Sequence, residues 1–184
     1  MAILSREPDV FPDGLLLEGA HQSTVEKWWV LHTRPRAEKS LARQLRQRGI
    51  SYYLPTYERR RRLQGRSVVS YLPLFPSYLF LRGSEDDRYA AFRTNLVVQS
   101  LDVRDQERLL ADMASVYRLV ETGLPLSPED RLLPGQKVEV TDGPLLGFRG
   151  TVVQRGSASR LLVEVQMLNR GVSVELDPVM VQPV

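Results

Sequence analysis

Residues 28–39 have the sequence WWVLHTRPRAEK, and this stretch decides the fold of the amino-terminal half. Its first four residues are apolar and include two tryptophans, a composition typical of a buried strand. Thr33 is a suitable helix cap and Pro35 suits a first helical turn, so a helix is predicted to follow directly. Apolar residues then recur at helical spacing until Gly49 ends the helix. These apolar residues are Ala37, Leu41, Ala42 and Leu45.

Three further strands and two further helices are predicted downstream. The strands are residues 51–58, 77–82 and 96–101, and the helices are residues 85–94 and 105–121. Four consecutive arginines, Arg59–Arg62, lead to Gly65, which is typical of a hairpin tip before the chain returns. Ser84 and the three acids after it favour a helix start, because acids complement the positive end of the helix dipole.

The chain is predicted to contain two domains. Residues 1–26 hold prolines, glycines and scattered acids and are expected to be a poorly ordered extension. Residues 27–121 form the first domain, and residues 122–131, rich in Gly and Pro, form a flexible linker. Residues 132–184 contain five short β-rich runs separated by glycines, a pattern typical of a small five-stranded β-barrel.

The charge is distributed unevenly. The chain has 25 Lys and Arg against 22 Asp and Glu, a net charge of +3. Residues 27–66 alone hold twelve basic and two acidic residues, which is +10. Such a block favours a polyanionic partner, with ordinary solvated surface as the alternative.

The composition argues against an enzyme. The chain has no Cys and only two His, which excludes disulfides, a thiolate zinc site and a cysteine nucleophile. It has no glycine-rich phosphate-binding fingerprint. We therefore predict a non-enzyme with no catalytic residues, no cofactor and no metal site.

Membrane insertion is also not expected. No apolar run approaches the roughly 18 residues that a membrane span needs, and no secretory signal is visible. We expect a soluble, cytoplasmic, monomeric protein without a membrane partner.

A motif in the second half resembles a KOW motif, which is found in small SH3-like barrels of ribosomal and transcription proteins. Residues 135–152 have the sequence GQKVEVTDGPLLGFRGTV. Its turn glycines can adopt backbone dihedrals that other residues avoid, and its phenylalanine can plug the barrel mouth. The motif residues are Gly143, Pro144, Gly147, Phe148 and Gly150.

The first half resembles the amino-terminal domain of the NusG family. The resemblance rests on residues 28–39 together with residues 74–80, LFPSYLF, and it covers residues 27–184. It implies an α/β sandwich with an antiparallel, four-stranded sheet and flanking helices, followed by a KOW barrel. The sequence Thr-Arg-Pro-Arg at residues 33–36 and the arginine-rich hairpin resemble specialised paralogues, such as RfaH, more than the housekeeping protein of the family.

The resemblance also implies a function. Family members dock an apolar patch onto the clamp helices of the RNA polymerase β′ subunit and suppress pausing or termination. Their KOW domain recruits a second factor, either Rho or a small-subunit ribosomal protein. The matching patch here comprises Val30, His32, Phe75, Tyr78 and Phe80. Phe75 and Tyr78 are expected to be exposed beside Pro76. Val30 and Phe80 are either part of the docking patch or buried core residues.

A second surface of the family faces the non-template DNA strand. The matching positions are Arg34, Arg36, Arg93, Thr94 and Asn95. Arg and Asn can bind base edges in a bidentate manner, and Arg34 lies near a predicted helix start, which favours phosphate. For Arg59–Arg62 we favour attraction to a nucleic-acid backbone without sequence recognition.

The alternative function is a ribosome-associated, nucleic-acid-binding KOW protein. It would explain the basic block and the barrel, but not the aromatic segments of residues 28–31 and 74–80. The choice between a general and an operon-specific factor stays open. The many valines of the second domain favour strand over helix, so we predict a stable barrel that does not refold as helices.

Overall fold

The computed structural model describes residues 6–17, 26–131 and 134–184. The chain divides into two compact units, with the boundary between Gln106 and Glu107. Helices combine with antiparallel sheets, which confirms the predicted α+β class. None of the helices in the described ranges is long and apolar enough to cross a membrane.

The amino-terminal unit is built on a five-stranded sheet. Its strands in chain order are β1 (Val10–Phe11), β2 (Lys27–Thr33), β3 (Ser51–Tyr53), β4 (Thr56–Leu63), β5 (Arg66–Pro73), β6 (Tyr78–Gly83) and β7 (Val97–Leu101). The sheet has the order β1-β3-β6-β2-β7 with antiparallel neighbours, while β4 and β5 form a separate hairpin. The predicted strands recur as β2, β6 and β7, the predicted strand of residues 51–58 is divided between β3 and β4, and β1 is an addition to the predicted four-stranded sheet.

Two helices, α1 (Glu38–Gln47) and α2 (Glu85–Phe92), accompany this sheet. Trp29 and Leu31 on one face of β2 belong to the same buried cluster as Leu41 and Leu45 of α1. Burying these side chains together stabilises the layer by about 1.5–3 kcal/mol for each residue. The helical spacing that predicted α1 therefore marks its core-facing stripe.

The start of α1 differs from the prediction. Thr33 is the last residue of β2, and its hydroxyl donates to the carbonyl of Arg34 at 3.0 Å, so it does not cap the helix. Arg36 then takes a left-handed backbone conformation, with φ of 64°, which delays the first helical residue to Glu38. The predicted start of α2 is correct, because the Ser84 hydroxyl accepts from the Asp87 N–H at 3.2 Å.

Part of the predicted extension of residues 1–26 is instead attached to the sheet. β1 extends the sheet by pairing with β3, and the Tyr52 hydroxyl donates to the backbone of this segment at 3.0 Å. The Asp9 carboxylate accepts from the hydroxyl of Thr56 at 2.8 Å and from its N–H at 3.2 Å. Residues 8–11 therefore cover the β3 edge of the sheet. The remaining residues of the predicted extension lie outside the described ranges.

The carboxyl-terminal unit contains a six-stranded antiparallel sheet. Its strands are β8 (Leu126–Glu129), β9 (Gln136–Val140), β10 (Arg149–Arg155), β11 (Ala158–Val165), β12 (Arg170–Glu175) and β13 (Val181–Pro183). They have the order β13-β9-β10-β11-β12-β8. Five strands correspond to the predicted β-rich runs, and the sixth, β8, comes from the segment predicted to be the linker. Glu129 holds β8 in place by accepting from Ser173 and Arg155, both at 2.6 Å.

The long helix α3 (Gln106–Glu121) lies in a different domain from the predicted one. The sequence placed it in the domain of residues 27–121, but nearly all of it belongs to the carboxyl-terminal unit. The Asp112 carboxylate accepts from the Gln166 N–H at 3.0 Å, and the Arg118 guanidinium lies 5.1 Å from the Phe148 ring centroid. These contacts tie the helix to the six-stranded sheet.

Candidate functional site

The predicted polymerase-binding residues lie together around one face of the amino-terminal sheet. Because β2 and β6 are antiparallel partners, Val30 lies opposite Phe80 and His32 lies opposite Tyr78. The two pairs share a face, since residues two apart on a strand point the same way. Phe75, just before β6, packs edge-to-face on Phe80 with ring centroids 5.9 Å apart. The structure therefore brings all five residues into one cluster.

Three of these five residues are core residues. Val30 and Phe80 are 0% exposed and Phe75 is 2% exposed. The Tyr53 ring also stacks on Phe80, with centroids 6.1 Å apart, so Phe80 is surrounded by rings. The expectation that Phe75 is exposed is wrong, because its ring packs into this aromatic cluster. Val30 and Phe80 are buried core residues, which was one of the two interpretations that the sequence left open.

The other two residues, His32 and Tyr78, are only partly buried. Their rings lie 5.2 Å apart at an interplanar angle of 34°. We call them the His32–Tyr78 pair. Of the predicted patch, this pair is the part that a partner protein can reach.

The turn before Tyr78 is fixed by α1. Ser77 has a left-handed backbone, with φ of 67°, and its carbonyl accepts from the Thr33 N–H at 2.8 Å. Its own N–H donates to the carboxylate of Glu38, the first residue of α1, at 2.6 Å. Glu38 is 5% exposed and Ser77 is half-buried, so this charge-assisted hydrogen bond is partly shielded from water. The position of the Tyr78 ring therefore depends on the start of α1.

The two predicted nucleic-acid-binding segments meet at the same end of the sheet. The Arg34 N–H donates to the carbonyl of Leu96 at 2.8 Å, which joins the β2–α1 loop to the α2–β7 loop. Four of the five predicted side chains are exposed there, and we call them the loop surface. They are Arg34, Arg36, Arg93 and Asn95. Arg36 and Asn95 both have φ of 64°, a left-handed conformation that arises at turns.

The fifth residue of this set, Thr94, has a local structural role. Its hydroxyl donates to the carbonyl of Ala91 at 2.6 Å and accepts from the Leu96 N–H at 3.2 Å. Thr94 therefore shapes the turn that presents Arg93 and Asn95.

The basic face of α1 has an acidic partner that sequence analysis missed. The Glu7 carboxylate lies 2.8 Å from the Arg43 guanidinium and 3.1 Å from that of Arg46. The acidic residues in residues 1–26, which precede the basic block in the chain, could have predicted this pairing. These ion pairs reduce the positive charge that α1 offers to a polyanion.

Burial changes the titration of the groups that attach this segment. Burial raises the pKa of the Asp9 carboxyl above its usual value, opposed by its hydrogen bond from Thr56 and by the charge of Arg6. Burial raises the pKa of Tyr52 to about 12. Tyr52 therefore stays protonated and donates its hydrogen bond throughout the neutral range.

The KOW-like motif forms a compact turn between β9 and β10. Gly143 has φ of 77° and Gly147 has φ of 80°, and the Gly147 N–H donates to the carbonyl of Val140 at 2.8 Å. Phe148 is 7% exposed. A side chain at Gly150 would place its Cβ 2.5 Å from the carbonyl oxygen of Leu162. Gly143 and Gly147 are therefore favoured because the backbone is left-handed there, and Gly150 is favoured because β10 lies close to β11 at that position.

Within residues 6–17, 26–131 and 134–184, no group of three or more His, Asp or Glu could hold a metal ion. The site that remains is an aromatic pair beside an exposed basic loop surface, which is suited to binding a macromolecule.

Comparisons with known proteins identify the family. The family model for "Transcription termination factor nusG" matches residues 26–130. The transcription termination/antitermination protein NusG of Rickettsia prowazekii (strain Madrid E) is 24% identical over 173 residues, covering 86% of this chain and 90% of that protein. The same-named protein of Pseudomonas aeruginosa is 26% identical over 173 residues, covering 83% of this chain and 96% of that protein.

Among solved structures, a chain from the crystal structure of an MjSpt4:Spt5 complex covers 85% of this chain at 14% identity and a TM-score of 0.30. The family model spans the aromatic pair, the loop surface and all of α3. The chain therefore belongs to the NusG family of transcription termination and antitermination factors.

Proposed function

We propose that this chain is a transcription elongation and antitermination factor that docks on the clamp helices of the RNA polymerase β′ subunit. The observation that carries the proposal is the His32–Tyr78 pair, whose rings lie 5.2 Å apart beside the loop surface. Rings bury much area at low entropic cost, and aromatic anchors dominate binding at protein interfaces. The proposed role is binding, without catalysis, and its place is the cytoplasm.

The loop surface is proposed to contact the non-template DNA strand next to the docked polymerase. Arg34, Arg36 and Arg93 are exposed, and a guanidinium can form bidentate hydrogen bonds with phosphate. Asn95 is exposed at a left-handed turn, where its amide can reach a base edge. Because the hydrogen bond between Arg34 and Leu96 joins both loops, DNA bound there would contact one continuous surface.

The carboxyl-terminal unit is proposed to act as a KOW domain that recruits a second factor. Its motif residues build the turn between β9 and β10, and its sheet is distinct from the polymerase-binding unit. Rho and a small-subunit ribosomal protein are the two partners that the family resemblance suggests.

The proposal is tested by binding to purified core RNA polymerase. The variant carries His32→Ala and Tyr78→Ala, and the matched control carries Tyr89→Ala, because Tyr89 is a 54% exposed ring on α2. Phe75, Val30 and Phe80 are left intact, since changes in the aromatic core would disturb the fold. Losing two anchor rings should weaken binding by roughly 100-fold, whereas the control should bind as the wild type does.

Equal binding by the folded double variant and the wild type would remove the pair from the interface. Absence of binding by the wild type would overturn the polymerase assignment and direct the search to ribosomes or to free nucleic acid.

A further inference from the structure

The β4–β5 hairpin carries a basic surface outside the residues used above. Residues directly opposite each other in an antiparallel pair share a face, and faces alternate along each strand. In the hairpin register, Arg59, Arg61 and Arg66 therefore lie on one face. We call these three residues the arginine ladder. Within the described hairpin, their face has no acidic side chain.

The ladder has a regular spacing. Arg59 lies opposite Ser70, Arg61 opposite Val68, and Arg66 opposite Leu63, so three successive rows of this face each hold one arginine. Rows on one face are two residues, or about 7 Å, apart. This distance is similar to that between successive phosphates of a DNA strand. All three arginines are exposed to solvent.

The opposite face of the hairpin has less positive charge, with Arg60 and Arg62 against Glu58, and it is in contact with the rest of the unit. Glu58 and Arg60 form an ion pair there. The Arg6 guanidinium lies 4.4 Å from the centroid of the Tyr71 ring, and Thr56 is bonded to Asp9. The ladder face therefore has the greater attraction for a polyanion.

The narrow shape of the hairpin favours duplex DNA as the polyanion. Its tip is formed by Gln64 and Gly65, with φ of 50° and 78°, so a tight turn keeps the ribbon narrow. The major groove of B-DNA admits a two-stranded β-ribbon.

We propose that the β4–β5 hairpin is a duplex-DNA-binding element, which enters the major groove with the arginine ladder on the phosphates. It is separate from the loop surface and from the His32–Tyr78 pair, and it needs no polymerase. Its failure and that of the proposed function are therefore distinguishable.

The test measures binding of the full chain to a labelled, mixed-sequence DNA duplex over a range of salt concentrations. The ladder variant carries Arg59→Gln and Arg61→Gln, and the matched control carries Arg60→Gln and Arg62→Gln. Both variants remove two charges from the same exposed strand. The ladder variant should lose roughly tenfold in affinity, and its salt slope should fall by about two, because two phosphate contacts disappear. The control should lose less than a third as much.

A duplex RNA of the same sequence and a single DNA strand serve as competitors. Duplex RNA should compete poorly, because its major groove is too deep and narrow for side chains to read. The proposal is overturned if the wild type does not bind duplex DNA, if both variants lose affinity equally, or if either competitor displaces the duplex as well as unlabelled duplex DNA does. Unchanged thermal unfolding of both variants ensures that the comparison reports binding.

Discussion

The carboxylate of Glu38 accepts a hydrogen bond of 2.6 Å from the backbone N–H of Ser77. It connects the first residue of α1 to the turn that presents Tyr78. Glu38 therefore helps to fix the position of Tyr78, one ring of the proposed polymerase-binding pair. The periodicity of the sequence does not predict this role.

Glu38→Ala should weaken both the fold and polymerase binding. The change leaves the partly buried N–H of Ser77 without its acceptor, which costs about 1 kcal/mol. Glu38→Gln keeps an acceptor oxygen and should cost less than half as much. Urea unfolding and polymerase affinity of both variants check this. Equal losses for the two variants would show that the negative charge matters and the acceptor geometry does not.

The KOW-like glycines should differ in their tolerance to alanine. A Cβ at Gly150 would meet the carbonyl oxygen of Leu162 at 2.5 Å, so the strands must separate. Gly147 has φ of 80° with no atom within 4 Å of an added Cβ, so Gly147→Ala should cost only the left-handed strain of about 1 kcal/mol. We expect Gly150→Ala to cost roughly twice this or more. Thermal unfolding of both variants measures the order, and a reversed order contradicts the packing described for β10 and β11.

Attachment of the amino-terminal segment should depend on pH. Burial raises the pKa of Asp9 above 3.8, so the folded state binds its proton more tightly than the unfolded state does. Stability should therefore fall as the pH rises from 3.8 through the raised pKa. Asp9→Asn should remove this part of the pH dependence while keeping an acceptor for Thr56. Urea unfolding at a series of pH values tests the sign, and identical pH profiles for the two proteins would refute it.

Asp112 should control the contact between α3 and the carboxyl-terminal sheet. Its carboxylate accepts from the Gln166 N–H at 3.0 Å and from the Arg108 guanidinium at 2.9 Å. Asp112→Ala should accelerate amide hydrogen exchange at Gln166, whereas Arg108→Ala should leave that amide protected, since Arg108 is half-exposed. Exchange measured by NMR separates the two variants. Unchanged protection at Gln166 in Asp112→Ala would show that the helix is held by other contacts.

Regular patterns were predictable from the sequence, and short or irregular ones were not. The apolar stripe Leu41–Leu45 and the Ser84 capping box each leave a local signal, and α1 and α2 follow them. β1 is two residues long and depends on pairing with β3, a contact distant in sequence. β8 contains Pro128, which disfavours a strand prediction, yet β8 ends its sheet, where proline is tolerated.

The sequence predicted which residues form the candidate site, but it did not predict which of their side chains are exposed. The family resemblance alone selected the five residues Val30, His32, Phe75, Tyr78 and Phe80, and it missed Tyr53, whose ring stacks on Phe80. It could not separate His32 and Tyr78 from Phe75, since burial depends on what packs against each ring. Phe75 is buried because it meets Phe80 edge-to-face, and only the folded chain shows this contact.

The most direct test of the account is photocrosslinking from the position of Tyr78. Tyr78 is replaced by the photoreactive residue p-benzoylphenylalanine, and the full chain is irradiated with core RNA polymerase. The same replacement at Tyr89 serves as the control. The account predicts a crosslink to the β′ subunit from position 78 and none from position 89. A crosslink from position 89 alone, or no crosslink from position 78 while the chain is bound, would contradict docking through the His32–Tyr78 pair.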